Sequence, residues 1–367
     1  MPSGAMNSVC FFGGFEAGYP RSDVLRKGLE KHGVEVYECR TSPRRRGIIR
    51  AAILAWRYAR MRKPFRVIYV PEFRHKDVPL AWGLARLTGK RLVFDPLVSR
   101  YDTKILDRGD AEEGSVQAWH NRNLDRISLG LPDLVLSDTA AHAEYYAREF
   151  GVPPSRIRVL PVGFDEDLFD PAAMQEDGRA DGSRLEVLFF GNYLPLHGVD
   201  VIVEAARLLS ANRSIHFDLI GRGQTYPEVE EFVRSNRLGN VRLLDRVPME
   251  TLPAVISGSD ICIGVVGRTA KAGRVVANKV YQAMAMGRVV VTADSPAIRE
   301  FFSDGKEICL VPAGNPQALA EKIEFLFRHP EERRAIGARA AAAVRPELTS
   351  YVLAKRFMEY CREILGS

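Results

Sequence analysis

A chain of 367 residues with 46% hydrophobic and 27% charged residues is longer than one ordinary core needs, which predicts two domains of usual size and excludes wholesale disorder. No apolar run reaches membrane-spanning length and no secretory hydrophobic segment opens the chain, so neither export by that route nor a spanning helix is expected. The net charge of +6 is unevenly placed, because Arg40 to Arg66 holds nine arginines and Lys63 without one acidic residue.

The five cysteines, at 10, 39, 262, 309 and 361, are odd in number and lack a CxxC, so they read as reduced cytosolic thiols and neither a disulfide frame nor a zinc site. Strand-like runs follow at Ser8–Phe12, Val34–Tyr37, Val67–Val70, Leu92–Phe94, Leu134–Leu136 and Ile157–Leu160. Helical patterns at Asp23–His32, Ile48–Met61 and Ala140–Phe150 alternate with them. Such alternation predicts βαβ units and a parallel sheet. The acidic, aperiodic stretch from Asp165 to Ser183 breaks the pattern and reads as a linker.

The same grammar then restarts, with strands expected at Leu185–Phe190, Ile215–Ile220, Val241–Leu244, Ile261–Val266, Val289–Thr292 and Ile308–Val311. Helices are expected at Val201–Leu209, Val229–Leu238, Leu252–Ser257, after Asn278, and at Pro330–Val344. The organisation is therefore an α/β domain over 1–166, a linker over 167–184 and a second α/β domain over 185–349. The last helix, Tyr351–Leu365 within 350–367, is placed to return to the first domain. Parallel sheets bind ligands beyond the carboxyl ends of their strands.

The stretch Lys271–Glu300, KAGRVVANKVYQAMAMGRVVVTADSPAIRE, carries the strongest site signal. A polar loop ends at Asn278, read as an N-cap, and a short helix then stops at Gly287 before a buried strand. The free N–H groups and positive dipole end of such a helix suit an anion, here expected to be a nucleotide diphosphate.

Four further segments join it in order: Leu131–Phe169, Val187–Leu209, Phe217–Glu230 and Val241–Val265. Together the five resemble the retaining GT-B glycosyltransferases of family GT4, over about half the chain. The resemblance implies two Rossmann-like domains with a cleft between them and transfer of a sugar from a nucleotide-sugar donor, UDP- or GDP-linked. No metal and no cofactor beyond that co-substrate is implied, and the donor is held mainly by the C-terminal domain.

Carried over position by position, the family's basic pair on the loop after the first strand of the second domain falls on Asn192 and His197, with Gly198 next to it. A neutral Asn weakens that contact, while His197 either donates to the phosphates or only leads into the helix. Gly221, Arg222 and Gly223 stand where the family turns beside the nucleoside, and Arg246 and Val247 where it cups the base. The family's two glutamates, seven residues apart, are Arg274 and Gln282 here. Gln282 can still meet a ribose hydroxyl, but a guanidinium cannot accept a hydrogen bond. Three roles are open to Arg274: gripping the diphosphate together with Lys271 and Lys279, pairing with a carboxylate on the donor sugar, or plain solvation. The first is preferred, as a catalytic role at the leaving group. Val275 and Glu300 complete the donor-side set.

In the first domain Gly13 and Gly14 are expected to let the chain approach the donor. Asp95 takes the family's histidine position, so Asp95, Arg100 and Asp102 are candidates for acceptor orientation or proton handling. His120 is expected to be exposed.

Within Ile48–Met61 the 3.6-residue period separates Arg50, Arg57 and Arg60 from Ile49, Ile53 and Trp56. Membrane docking, nucleic-acid binding and a solvated helix compete to explain the pattern. No nucleic-acid motif accompanies the charge. The expectation is therefore a cytoplasmic, peripheral enzyme with an anionic membrane surface meeting Arg44, Arg45, Arg46, Arg50, Trp56, Arg57 and Arg60, acting on a lipid-linked or glycan acceptor.

Overall fold

The computed structural model describes residues 6–45, 47–173 and 184–366. Arg46 and most of the expected linker fall outside these residues. The chain forms two units, Met1–Gly163 with Thr349–Ser367, and Phe164–Leu348.

In the first unit β1 (Ser8–Gly13), β2 (Glu35–Arg40), β3 (Val67–Val70), β4 (Arg91–Phe94), β5 (Leu134–Ser137) and β6 (Ile157–Val159) form a parallel sheet in the order β2-β1-β3-β4-β5-β6. The helices are α1 (Pro20–Lys31), α2 (Gly47–Arg60), α3 (Val78–Leu87), α4 (Val116–Gly130) and α5 (Ala140–Phe150). Alternate residues of a strand point to opposite faces. Cys10 and Phe12 therefore join a core with Leu54 of α2, Ala81 of α3, Leu129 of α4 and Tyr146 of α5, while Phe11 packs against Tyr69 with the rings tilted, and Tyr69 meets Phe357 on the other face.

The second unit repeats the plan. Its strands are β7 (Leu185–Phe190), β8 (Ile215–Ile220), β9 (Val241–Leu244), β10 (Ile261–Ile263), β11 (Val289–Ala293) and β12 (Cys309–Val311), parallel in the order β12-β11-β10-β7-β8-β9. The helices are α6 (Val199–Leu208), α7 (Tyr226–Ser235), α8 (Leu252–Ser257), α9 (Asn278–Ala285), α10 (Pro296–Arg299), α11 (Pro316–Arg328) and α12 (Pro330–Val344). The last helix, α13 (Ser350–Leu365), begins with Thr349 capping the Val352 N–H and packs on α1 in the first unit. Gly28 of α1 permits that approach, since a Cβ there would lie 1.9 Å from the Ser350 carbonyl oxygen.

Two expectations need correction. Residues 164–170, astride the expected boundary at 166/167, belong to the second unit: Phe164 and Phe169 are buried, and Arg345 donates to the Phe169 carbonyl. The helix expected to be capped by Asn278 is entered through Ala277, whose extended backbone (φ −70°, ψ 147°) makes it the cap residue and Asn278 the first helical position. All five cysteines are free and buried.

Candidate functional site

The second unit's sheet reverses its order between β7 and β10, and a crevice beyond the carboxyl ends of the strands is expected at such a point. The apolar run LEVLFF makes β7 buried throughout, and Gly191 ends it at φ +144°. Only glycine suits this position on two counts. The backbone is in a region that L side chains rarely adopt, and an added Cβ would lie 2.9 Å from Lys279 Nζ and 3.8 Å from His197 Cε1.

Lys279 sits at the second position of α9, whose first turn has no side-chain cap. Its side chain turns inward and lays the ammonium over the Phe189 ring, 3.7 Å from the centroid. The residue is 6% exposed and Nζ has no hydrogen-bond partner among the described residues. Burial pushes its pKa well below the usual lysine range, with the Cys262 thiol on β10 acting weakly the other way. A buried polar group without a partner costs stability and calls for an explanation. Here it coincides with an uncapped helix start, where the peptide dipoles favour negative charge.

The loop after β7 is held from several sides. His197 Nδ1 bonds the Asn192 carbonyl, and Arg246 Nη2 donates to Asn192 Oδ1 at 2.9 Å. Gly198, at φ +66°, packs so closely on the segment after β10 that a Cβ would lie 2.5 Å from the Gly267 nitrogen. The glycines of Gly221-Arg222-Gly223 have a structural occupant: a Cβ at 221 would meet the Gly191 carbonyl oxygen at 1.9 Å, and one at 223 the Tyr193 oxygen at 2.4 Å. Their close approach is thus to the chain itself. Arg222 pairs with Asp245 at 2.6 Å and covers the Tyr226 ring.

Leading into α9, Lys271 is buried, while Arg274, Val275 and Asn278 are half-buried. Gln282 is buried one turn into the helix, and Val247 is half-buried beside the exposed Arg246. Glu300, expected in the donor-side set, is exposed and follows the end of α10. Sequence reasoning overlooked Gly191, Phe189 and Cys262. The glycine directly after six strand residues was the available signal.

The first unit reverses its strand order between β1 and β3, but the chain closes that crevice itself. Gly14 N–H donates to Asp77 Oδ2 at 2.9 Å, Arg50 Nε pairs with Asp77 Oδ1 at 2.8 Å, and Arg74 donates to the Gly14 carbonyl. The Gly13-Gly14 turn, expected to approach a donor, is therefore packed against these side chains. Arg50, expected at a membrane surface, is 12% exposed and tied to Asp77, a partner that the acid-free stretch 40–66 did not reveal.

Asp95 and Asp102 are fully buried. Asp95 Oδ2 accepts from Arg21 Nε at 2.7 Å and from the Tyr69 hydroxyl at 2.9 Å, and Arg21 also donates to the Leu160 and Pro161 carbonyls. Neither carboxylate is thus an open base, because solvent reaches neither and an arginine neutralises Asp95. Asp125 gathers the Arg100 and Tyr101 N–H groups and the Ser99 hydroxyl, and burial still pushes its pKa up to about 6. His75 lies 3.4 Å from it, but burial first, and then the Arg100 charge, lowers the imidazole to about 3, so this is no ion pair. Glu72, on the loop after β3, takes a hydrogen bond from Ser22 Oγ, and burial followed by the neighbouring Asp95 raises its pKa to about 7. His120 is exposed on α4.

Residues 8–163 match the family described as glycosyl transferase 4-like domain, and residues 184–329 that described as glycosyl transferases group 1. An uncharacterized glycosyltransferase of Methanocaldococcus jannaschii is 29% identical over 150 residues, which are 41% of this chain and 40% of that protein. The phosphatidyl-myo-inositol mannosyltransferase of Mycobacterium leprae is 28% identical over 263 residues, 70% of this chain and 64% of that one. The match thus spans less than two thirds of either relative. Among solved structures, Anabaena HepE in complex with UDP and glucose superposes with a TM-score of 0.72 at 15% identity, covering 97% of this chain and 99% of that chain, a likeness of fold. Two six-stranded parallel sheets, each covered by its own half of the family signature in the order GT-B requires, show that the chain belongs to the GT4-type glycosyltransferases of GT-B fold.

Proposed function

We propose that the chain is a retaining hexosyltransferase that binds a nucleotide-sugar donor in its second unit and transfers the sugar to a lipid-linked or other membrane-proximal acceptor at the cytoplasmic face. The observation that carries this reading is the buried, unpartnered Lys279 ammonium at Gly191, beside the start of α9. The donor diphosphate is the occupant whose charge this cation and helix dipole match. In the proposed reaction an acceptor oxygen attacks the anomeric carbon from the side of the leaving group. The bond to the diphosphate oxygen breaks, and the acceptor proton passes to that oxygen. Lys279 and Arg274 hold the negative charge as it develops, with no protein nucleophile, bound metal or further cofactor required. HepE was solved with UDP and glucose, which favours a uridine nucleotide as the first donor to try.

Support for the acceptor side is of a different kind. All three tryptophans of the chain, Trp56, Trp82 and Trp119, are exposed on α2, α3 and α4, which pack in sequence on one face of the first unit. Ile48 and Ile49 are exposed beside them, and Arg60 covers Trp56 at 4.1 Å. Indole rings and arginines of this kind suit the boundary of an anionic bilayer. The relative from Mycobacterium leprae is named for a lipid acceptor. Among the described residues no helix is long and apolar enough to cross a membrane.

The arginine and glutamine at 274 and 282 favour a second reading, a nucleotide-sugar-binding protein without turnover. One experiment separates the readings: thermal melting with a panel of nucleoside diphosphates and their sugar conjugates, then nucleotide release with and without acceptor-bearing anionic vesicles. The transferase reading expects a melting shift with one base, release only with acceptor, and vesicle binding that weakens with salt. A shift without release leaves the binder, and no shift with any nucleotide removes both.

A further inference from the structure

We propose that the first unit carries a separate anion pocket that takes the phosphate of a phosphorylated acceptor, formed by Arg40, Arg45 and Arg57 at the carboxyl ends of β1 and β2. A cavity of about 730 Å³, open to solvent, lies between the loop that follows β1 and the loop that follows β2. Phe15, Glu16, Arg40, Ser42, Arg45 and Arg57 are among its lining residues, and Glu16 is the only carboxylate among them. This deepens the transferase reading by giving its acceptor a chemical class, and it rests on that reading only for the word acceptor.

The local structure brings the three guanidinium groups together. Arg40 ends β2, and its guanidinium pairs with Glu38 at 3.0 Å and reaches over the Phe15 ring at 5.8 Å. Arg57, one turn from the end of α2, donates to the Arg40 carbonyl, a neutral acceptor, and has no ion-pair partner among the described residues. Arg45 has no ion-pair partner among the described residues. Arg50, by contrast, turns away to Asp77. Arg40 keeps Glu38, so Arg45 and Arg57 are the cations that meet no carboxylate among the described residues, with Glu16 the one carboxylate of the lining, and an anion between the guanidinium groups offsets their repulsion. A guanidinium presents a planar fork that matches two phosphate oxygens, and several forks can share one phosphate. Phe15 and the Ser42 hydroxyl give the rest of the cavity the mixed lining that suits a polyol or sugar body. The volume lies in the range of small-molecule sites and exceeds what a lone phosphate fills.

The pocket is distinct from the Lys279 site, which lies in the other unit, and the test must hold the two apart because phosphate could enter either. Binding of inorganic phosphate and of sn-glycerol 3-phosphate is measured by calorimetry on the full chain with saturating UDP present, and again in Lys279→Met. The Arg45→Gln/Arg57→Gln double variant changes two exposed side chains and leaves the core intact. It should lose phosphate affinity at least tenfold, while Glu16→Gln should gain about threefold, since the carboxylate that competes with the ligand is gone. Stronger binding of glycerol phosphate than of phosphate would show that the cavity takes the body of a soluble acceptor. Equal binding of the two, with arginine-dependent binding to vesicles of phosphatidylcholine and phosphatidic acid, would assign the pocket to a lipid phosphate. The proposal is overturned if wild type binds neither anion, if the arginine variant binds as wild type does, or if Lys279→Met alone abolishes phosphate binding. The UDP melting shift is read separately. Its absence would remove the donor reading and leave the arginine dependence to decide the pocket.

Discussion

The two sheets reverse strand order at equivalent places, between β1 and β3 in one unit and between β7 and β10 in the other, yet treat the resulting crevice in opposite ways. In the first unit the chain fills it with its own charges: Asp77 takes the Gly14 N–H and Arg50, and Arg74 takes the Gly14 carbonyl. In the second a lysine is carried into the interior and left without a partner. The polar groups of the first crevice thus meet one another, whereas the Lys279 amine of the second meets no hydrogen-bond acceptor among the described residues, which is the observation behind the proposed donor site. The difference also explains why glycine after a strand is a weak signal by itself. Gly13 makes room for Asp77, whereas Gly191 makes room for the Lys279 side chain.

The largest expected effect tests how self-contained the first unit is. Glu72 is almost wholly buried, and its pKa of about 7 exceeds the ordinary glutamate value of 4.5, chiefly through burial. The folded state therefore keeps a proton that the unfolded chain releases. The contribution of this group is fully present below pH 4.5, declines as pH rises toward about 7 and is flat beyond it. The span corresponds to roughly 3 kcal/mol. Glu72→Gln keeps a neutral acceptor for Ser22, so it should match wild type in acid and exceed it by up to that amount at pH 8, as measured by urea unfolding across pH. A variant no more stable at pH 8 than at pH 4, relative to wild type, would mean that Glu72 titrates in the folded protein as it does in the unfolded chain.

Lys279→Met carries the comparison to the second unit. Methionine fills a similar volume without burying an amine that lacks a hydrogen-bond acceptor, so the unliganded variant should melt no lower than wild type and should gain slightly. Donor nucleotide affinity should fall about 100-fold, the loss expected when one partner of a buried charge pair is removed. Because burial holds the free lysine below its usual range, with His197 and Cys262 the titratable neighbours, a bound diphosphate should draw in a proton. Calorimetry in buffers of different ionisation heat should then record proton uptake in wild type and less in the variant. A variant that binds nucleotide normally would return the buried lysine to an unexplained feature of the core.

The sequence was legible wherever local pattern alone decides the outcome. The runs at Val67–Val70, Leu185–Phe190, Ile215–Ile220 and Val241–Leu244 are strands over the residues read, and Leu252–Ser257 and Pro330–Val344 are helices over theirs. Other features depend on partners distant in the chain, and these the sequence concealed. The helices α3 and α11 are not among those expected, although Asn315 caps the latter through the Ala318 N–H. Arg50 looked like its neighbours until Asp77, twenty-seven positions on, was folded against it. Asp95 looked available because Arg21 and the Pro161 carbonyl are remote in sequence. Lys279 was within reach, since its place after a polar loop at a helix start was visible. Its inward turn was not, because that depends on the lack of a side chain at Gly191.

The smallest effect probes what holds the donor loop in place. Asn192 follows Gly191 on the loop after β7, and its amide oxygen is engaged by Arg246 Nη2 from the segment after β9. Both side chains are exposed, so the bond contributes little to global stability, about 0.5 kcal/mol or less. Its consequence lies in the loop, because Asn192 also offers its carbonyl to His197 and follows directly on Gly191. Arg246→Ala should leave the melting temperature within about a degree and weaken donor nucleotide binding three- to fivefold, through a loop that must be ordered by the ligand alone. A loss nearer fiftyfold would mean that the guanidinium touches the nucleotide itself. In that case the second unit would hold two ligand cations, one buried and one at the rim.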